Sequence, residues 1–261
     1  MWKNICRGSM TSKESKKDKV RDFWNRNVNQ FNQLLRDDVG TREFYDAAEA
    51  LRYQYHYHLP PLFDKIASEF PHGKLLEIGC SMGNDTMQLA RRGMKVTGID
   101  ITQTAIDLIT ERFLLFEMSG DFQVADAENL PFEDNTFDVV YSFGVLHHTP
   151  DTVGAIEEAR RVLRPNGKAF VMLYNTCSLN WLAHRLTGIP FDGSRAEPCP
   201  VEKSYMPFSA KKLFKNYTST HLSVDYLFGT GWGQGNRFMP IALHRLLGRV
   251  IGWHLMIEAV K

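Results

Sequence analysis

The chain has 261 residues, of which 43% are hydrophobic and 23% charged, a balance typical of a globular protein with one sizeable core. Its 31 lysines and arginines nearly match its 30 aspartates and glutamates, so the net charge of +1 disfavours nucleic acid or an anionic membrane as a partner. The sequence also lacks a signal peptide and a stretch of roughly 18 apolar residues that could span a membrane, so we expect a soluble, cytoplasmic protein.

The cysteines and the paired histidines do not predict a metal site. Cys6, Cys80, Cys177 and Cys199 show no CxxC spacing, which indicates free thiols in a reducing compartment. His56 and His58, two residues apart, would diverge on a helix, and aromatic packing is the better interpretation of the run around them.

The N-terminal part is predicted to be helical. Residues 1–12 are expected to be a tag or a disordered start, since Gly8-Ser9-Met10 resembles a cloning remnant before a native methionine. Apolar residues recur at helical spacing from 13 to 35, and a second helical region over 41–70 is broken at Pro60-Pro61. We expect residues 13–72 to form a lid. Its lysines are interpreted as a solvated face.

Strands and helices alternate over the next hundred residues. Apolar runs predict strands at 74–80, 94–99, 122–125, 137–143 and 169–174, and amphipathic segments predict helices at 84–92, 102–117 and 152–163. This alternation implies right-handed crossovers and a parallel sheet, so residues 73–261 are interpreted as one α/β domain.

The C-terminal third breaks this rhythm. Residues 175–207 contain several prolines and are predicted to be an insertion on the substrate side of the sheet. Beyond it we expect a helix opened by Ser209, a strand over 221–228, a glycine-rich loop over 229–235, a helix over 239–250 and a last strand over 253–260.

Two linked features favour an adenosine-containing ligand. Small residues at 79, 81 and 83 form a turn between a strand and a helix, where backbone can approach a ligand closely. Asp100 ends the next strand, 21 residues after Gly79, where a carboxylate can hold a ribose diol. A nicotinamide dinucleotide stays open here, although its G-x-G-x-x-G fingerprint would need a small residue where Asn84 stands.

Further motifs resemble the class I methyltransferases that use S-adenosylmethionine, especially their small-molecule branch. The resemblance covers roughly residues 73–174. It rests on Leu76-Glu77-Ile78-Gly79-Cys80-Ser81-Met82-Gly83, Val96-Thr97-Gly98-Ile99-Asp100, Ala125-Asp126-Ala127-Glu128-Asn129-Leu130-Pro131-Phe132, Phe137-Asp138-Val139-Val140 through Leu146-His147-His148, and Ala159-Arg160-Arg161-Val162-Leu163-Arg164-Pro165-Asn166-Gly167. Ser81 stands where the family often has glycine, a mild departure.

The resemblance implies a Rossmann-like, seven-stranded, mostly parallel α/β sheet with helices on both faces and an antiparallel last strand. It also implies S-adenosylmethionine as the cofactor, S-adenosylhomocysteine as its product and a small-molecule methyl acceptor. The implied cofactor contacts are Glu77, Gly79, Ser81 and Gly83 at the methionine part, Asp100 at the ribose, Ile101, Asp126 and Ala127 at the adenine, and Phe143 and Gly144 at the amino group.

The catalytic and substrate residues are less defined. His147 and His148 follow the fourth predicted strand, and one of them is a candidate general base. If the acceptor is a thiolate or a free amine, alignment alone suffices and no base is needed. Substrate contacts are expected from aromatic residues: Phe23, Trp24, Tyr53, Tyr57 and Tyr174. The alternatives are a nicotinamide-dependent oxidoreductase and a catalytically silent binding domain of the same fold.

Overall fold

The protein is described here by a computed structural model that covers residues 12–28, 38–228 and 239–261. The predictions for residues 1–11, for the end of the first helical segment (29–37) and for the glycine-rich loop lie outside these ranges. Within them, no helix combines the length and the apolar composition needed to cross a bilayer.

Helices and strands alternate along the described chain. The helices are α1 Ser12–Arg26, α2 Arg42–Tyr55, α3 Leu59–Glu69, α4 Asn84–Arg91, α5 Gln103–Leu115, α6 Thr152–Val162, α7 Leu179–Thr187, α8 Pro207–Leu213 and α9 Ile241–Ile251. The strands are β1 Lys74–Ile78, β2 Lys95–Asp100, β3 Asp121–Val124, β4 Phe137–Phe143, β5 Leu163–Asn175, β6 Ser204–Tyr205, β7 Ser219–Asp225 and β8 His254–Val260.

The strands form one sheet in the order β3-β2-β1-β4-β5-β8-β7, which confirms the predicted fold class. β8 runs antiparallel to both β5 and β7, and the other pairs are parallel. The two-residue strand β6, which the sequence did not predict, adds to β5 beside the main path. The strand order reverses between β1 and β4, the place where open α/β sheets bind ligands at the carboxyl ends of their strands.

Apolar side chains cover both faces of the sheet. Successive residues of β1 point to opposite sides, so Leu75 packs with Phe63 and Ile109 of one helical layer, whereas Leu76 packs with Ile156 and Phe214 of the other. Such two-sided burial explains why the central parallel strands β1 and β4 are buried over most of their length.

Two local predictions need correction because proline begins helices rather than breaking them here. The break between α2 and α3 falls at residues 56–58, and Pro60-Pro61 lies in the first turn of α3, where a missing N–H has no helical partner to lose. Likewise α8 begins at Pro207, so Ser209 lies inside the helix and does not cap it.

The predicted turn at residues 164–167 lies within β5. These residues bulge out of the pairing with β4, which passes from Leu163 directly to Lys168.

Candidate active site

A cleft of about 880 Å³, its open mouth included, lies at the reversal point of the sheet. Ten of the predicted site residues line it: Trp24, Gly79, Ser81, Asp100, Ile101, Asp126, Ala127, Phe143, Gly144 and His148. Residues that are far apart in the chain, and that the sequence predicts at the ends of strands, therefore lie together in this cleft.

The turn after β1 is shaped by packing as much as by any ligand. The N–H groups of Gly79 and Cys80 donate to the carbonyl of Ile99, which ties the turn to β2. A Cβ on Gly79 would lie 2.2 Å from Val145 Cγ2, and one on Gly83 would lie 2.6 Å from Ile109 Cγ1. Gly83 does not line the cleft. It lets α4 approach α5, and the prediction that it touches the ligand lacks support from this geometry.

Ser81 lines the cleft. Its φ of 50° lies in the left-handed region, which glycine adopts more readily than serine. Its Oγ is buried and makes no hydrogen bond with the described residues. A buried hydroxyl without a partner is unfavourable unless a bound molecule or water completes it.

Asp100 lies at the end of β2, and its carboxylate is held from several sides. It accepts hydrogen bonds from the Ser81 N–H at 3.2 Å, the Thr102 N–H at 3.0 Å and the Thr102 hydroxyl at 2.9 Å. Burial raises the pKa of Asp100, which these hydrogen bonds oppose. The carboxylate is thereby oriented on the wall of the cleft, and such an arrangement fits a ribose diol.

Glu77, by contrast, turns away from the cleft. Its Oε2 accepts a hydrogen bond of 2.5 Å from the Thr86 hydroxyl, inside the protein. Burial, followed by the charge of Asp85, raises the pKa of Glu77 well above its ordinary value. The carboxyl group ties β1 to α4, so the expected direct contact of Glu77 with the cofactor is not what this geometry provides.

Helix α1 closes one side of the cleft with Lys17, Val20, Trp24 and, just beyond the helix, Val28. Lys17 forms a short ion pair with Asp126 and lies 2.9 Å from Glu128. Although burial acts to lower it, these two carboxylates raise the pKa of Lys17. The prediction that the lysines of this helix form a solvated face is therefore wrong for Lys17.

The two histidines differ in their surroundings. His147 is fully buried, and its ring packs against Tyr174 with 3.9 Å between ring centres. His148 lines the cleft beside Trp24, with 5.1 Å between their ring centres. Burial lowers the pKa of both rings, so both tend to be neutral near pH 7. Of these two histidines, only His148 lines the cleft.

Of the five aromatic residues predicted to contact substrate, only Trp24 lines the cleft. Phe23 packs against Trp24, the hydroxyl of Tyr53 donates to Asp85, and Tyr57 lies beside His244. The Tyr174 hydroxyl donates to Asp192 at 2.9 Å. Tyr53 and Tyr57 do not line this cleft, and their contact with substrate stays a prediction.

Sequence reasoning missed Lys17, Glu128 and Asp192. Glu128 lies in the segment 125–132, and its Oε1 accepts a hydrogen bond from the backbone N–H of Asp151 at 2.6 Å. Asp192 lies in the insertion and approaches His148 to 3.5 Å. No local pattern marks either Lys17 or Asp192, because their partners are distant in the sequence.

The strand order, with the cleft at its reversal point, is that of a Rossmann-like α/β fold. An S-adenosylmethionine-dependent methyltransferase of Thermotoga maritima has the same fold, with a TM-score of 0.62 at 15% identity, covering 92% of this chain and 99% of that one. The [4+2]-cyclase SpnF also shares it, with a TM-score of 0.55 at 18% identity, covering 77% and 80%.

The sequence comparisons point to methyl transfer. Residues 76–171 match the family described as a methyltransferase domain. The 27-O-demethylrifamycin SV methyltransferase of Amycolatopsis mediterranei is 36% identical over 41% of this chain and 42% of its own length. A sterol 4-C-methyltransferase of Caenorhabditis elegans is 36% identical over 37% and 29%. The chain thus spans less than half the length of these curated relatives.

Proposed function

We propose that this protein binds S-adenosylmethionine in the cleft and transfers its methyl group to an O, N, S or C nucleophile of a small metabolite in the cytoplasm. The observation that carries the proposal is the arrangement of Asp100 and Ser81: an oriented carboxylate beside an unpartnered hydroxyl at the reversal point of the sheet. The names of the relatives, which include rifamycin, sterol and ubiquinone methyltransferases, support a small-molecule acceptor.

The described residues fit the cofactor in three regions. Asp100 would accept the ribose hydroxyls, and Asp126 the adenine amine, with Ile101 and Ala127 along the ring. The Ser81 hydroxyl and the backbone at Phe143 and Gly144 would hold the amino-acid part. When bound, the cofactor supplies a methyl carbon activated by its sulfonium for in-line displacement by the acceptor.

The protein's own contribution is to orient both partners and to exclude water. Val20, Trp24 and Val28 present apolar surface above the cleft, so α1 is proposed as the lid that shields the reaction. The insertion at 175–207 is proposed as the acceptor side, because it brings residues 192–202 next to His148. His148 is proposed as the base where the acceptor must lose a proton.

The alternatives are less well supported. A nicotinamide dinucleotide would need a small residue at position 84, and the Asn84 side chain is buried, accepting a 2.5 Å hydrogen bond from Arg112. A catalytically different use of the same fold has one specific observation in its favour, since the cyclase SpnF shares the fold.

The test is a screen of the purified protein with methyl-labelled cofactor against small-molecule extracts, in which the mass of each labelled product is measured. Asp100→Ala is the inactive variant, and Asp107→Ala, on the exposed face of α5, is its matched control. We expect label in a small molecule with the wild type and with the control only. Cofactor binding without any transfer across extracts would favour a silent or cyclase-like domain.

A further inference from the structure

Two helices beside the C-terminal strands expose apolar side chains to solvent. On α7 and shortly after it, and on α9, these side chains are Leu182, Leu186, Ile189, Leu243, Leu246 and Val250, which together are called the α7/α9 face. Leu186, Leu246 and Val250 are 78%, 63% and 70% exposed. Single exposed apolar residues are ordinary on a protein surface, but several of them on two adjoining helices indicate an interaction site.

The spacing along α9 separates an inward side from an outward side. His244 and Gly248 are buried, lie four residues apart and face the body of the protein. Leu243, Leu246 and Val250 are exposed and follow one another at intervals of three and four residues. Residues at these intervals share one side of a helix, so the apolar side chains form a stripe turned away from the core.

The two helices adjoin at the carboxyl end of β5. Tyr174 of β5 pairs with His254 of β8, so α7 begins and α9 ends at the same place in the sheet. Asn175 joins the two segments, because its side-chain amide donates to the Gly252 carbonyl at 2.8 Å and its Oδ1 accepts the Cys177 N–H at 2.9 Å. Since β5 runs parallel to β4, this is also the edge of the sheet at which the cleft opens.

The charged residues of these two helices are all basic. They are Arg185, Arg245 and Arg249, and neither helix contains an aspartate or a glutamate. Arg249 is exposed and lies three residues after Leu246, at the margin of the apolar stripe. Asp225, beside Gly248, is turned inward, since its Oδ1 accepts the backbone N–H of the next residue at 2.7 Å.

The acidic residues of the insertion are bound elsewhere. Glu202 accepts two backbone N–H groups at 3.2 and 2.8 Å, and Glu197 pairs with Arg26 of α1 at 2.6 Å. Asp192 accepts a hydrogen bond from the Tyr174 hydroxyl at 2.9 Å. The chain's net charge of +1 therefore conceals a local excess of positive charge around the α7/α9 face.

We propose that the α7/α9 face docks this protein on the surface of an anionic lipid bilayer. The leucine, isoleucine and valine side chains enter the boundary between head groups and acyl chains, and the arginines contact the anionic head groups. A second copy of the chain fits this face less well, because a symmetric contact would bring the same arginines of both copies together. The inference does not depend on the proposed methyl transfer.

The experiment is co-sedimentation of the full chain with vesicles made of equal parts phosphatidylcholine and phosphatidylglycerol, at low and at high salt. We expect the protein to sediment with these vesicles, and to do so less at high salt because ions screen the arginines. Vesicles of phosphatidylcholine alone should bind it more weakly, since they offer the apolar boundary without the anionic head groups.

Two pairs of matched variants locate the contact. Leu246→Gln should weaken binding about tenfold, because a buried apolar side chain is lost, whereas Leu114→Gln should not, since Leu114 is 75% exposed on α5 at the other edge of the sheet. Arg249→Gln should weaken binding about fivefold, the effect of one arginine near an anionic surface. Lys95→Gln, exposed at the start of β2, should leave it unchanged.

Two results would overturn the proposal directly: no sedimentation with the anionic vesicles, or an equal loss of binding in all four variants. A dimer in solution that Leu246→Gln dissociates, without binding to either kind of vesicle, would also overturn it, because the face would then join two copies of the chain. All four side chains are exposed, so the urea unfolding curves of the variants should match that of the wild type.

Discussion

At the scale of single residues, two cleft glycines have the same backbone conformation but different surroundings. Gly79 and Gly144 have φ values of 80° and 79°. A Cβ at 79 would overlap the Val145 side chain, whereas a Cβ at 144 would meet only Met172 Cε, at an ordinary 3.5 Å. The first position is restricted by packing and by conformation, and the second by conformation alone.

This difference predicts unequal losses of stability. Gly144→Ala should lower the free energy of unfolding by about 1–2 kcal/mol, the usual strain of a left-handed residue with a Cβ. Gly79→Ala should lose roughly 1–3 kcal/mol more, because Val145 must move. Urea denaturation measures both values. Equal losses would show that Val145 yields without strain.

At the scale of elements, α1 is joined to the cleft rim by charge. Lys13 lies 2.9 Å from Asp151 and 3.0 Å from Glu128, and Lys17 reaches Glu128 and Asp126. Asp126 is also the proposed acceptor of the adenine amine, so the cofactor and Lys17 share one carboxylate. Cofactor binding and closure of α1 are therefore expected to influence each other.

Lys17→Gln should loosen α1 on the cleft. Exposed and half-exposed ion pairs contribute about 0.2–1 kcal/mol, so amide hydrogens of α1 should exchange roughly 1.4 to 5 times faster than in the wild type. Lys19→Gln is the matched control, since Lys19 is exposed on the same helix. If both variants exchange alike, the ion pairs of Lys17 do not hold α1.

The helix could be predicted from the sequence but its docking could not. The spacing of Val20, Phe23 and Trp24 is local and indicates α1 directly. The pair of Lys17 and Asp126 joins residues 109 positions apart, and no pattern in either segment records it. The same holds for Asp192, whereas Asp100 and Asp126 were predictable because they follow strand ends that a parallel sheet brings to one edge.

At the scale of the whole molecule, a buried histidine cluster joins the α2–α3 junction to β8. The rings of His56, His58 and His254 lie 5.4–6.0 Å apart, and His56 stacks on Tyr226. The charged and titratable groups that act on the cluster include Arg52, Asp85, Asp225, His147 and His244. Burial lowers the pKa of His58 to about 4, and those of His56 and His254 also lie well below the ordinary value.

As the pH drops, the histidines of the cluster take up protons in the unfolded chain at a higher pH than in the folded protein. The free energy of unfolding should therefore fall between about pH 6.5 and pH 4. His58→Phe lacks one of these titrating groups. Between pH 7 and pH 5 its free energy of unfolding should therefore fall by about 1–2 kcal/mol less than that of the wild type. Urea unfolding at both pH values measures the difference, with exposed His72→Asn as the control. An equal loss in wild type and His58→Phe would mean that the cluster does not titrate in this way.

The most direct test of the account is calorimetric titration of the protein with S-adenosylhomocysteine. We predict binding at one site and no displacement by NAD. In Asp100→Ala binding should be weaker by about 1.5–3 kcal/mol, the range for a hydrogen bond to a charged group. Unchanged affinity in Asp100→Ala, or no binding by the wild type, would contradict the assignment of this cleft as the cofactor site.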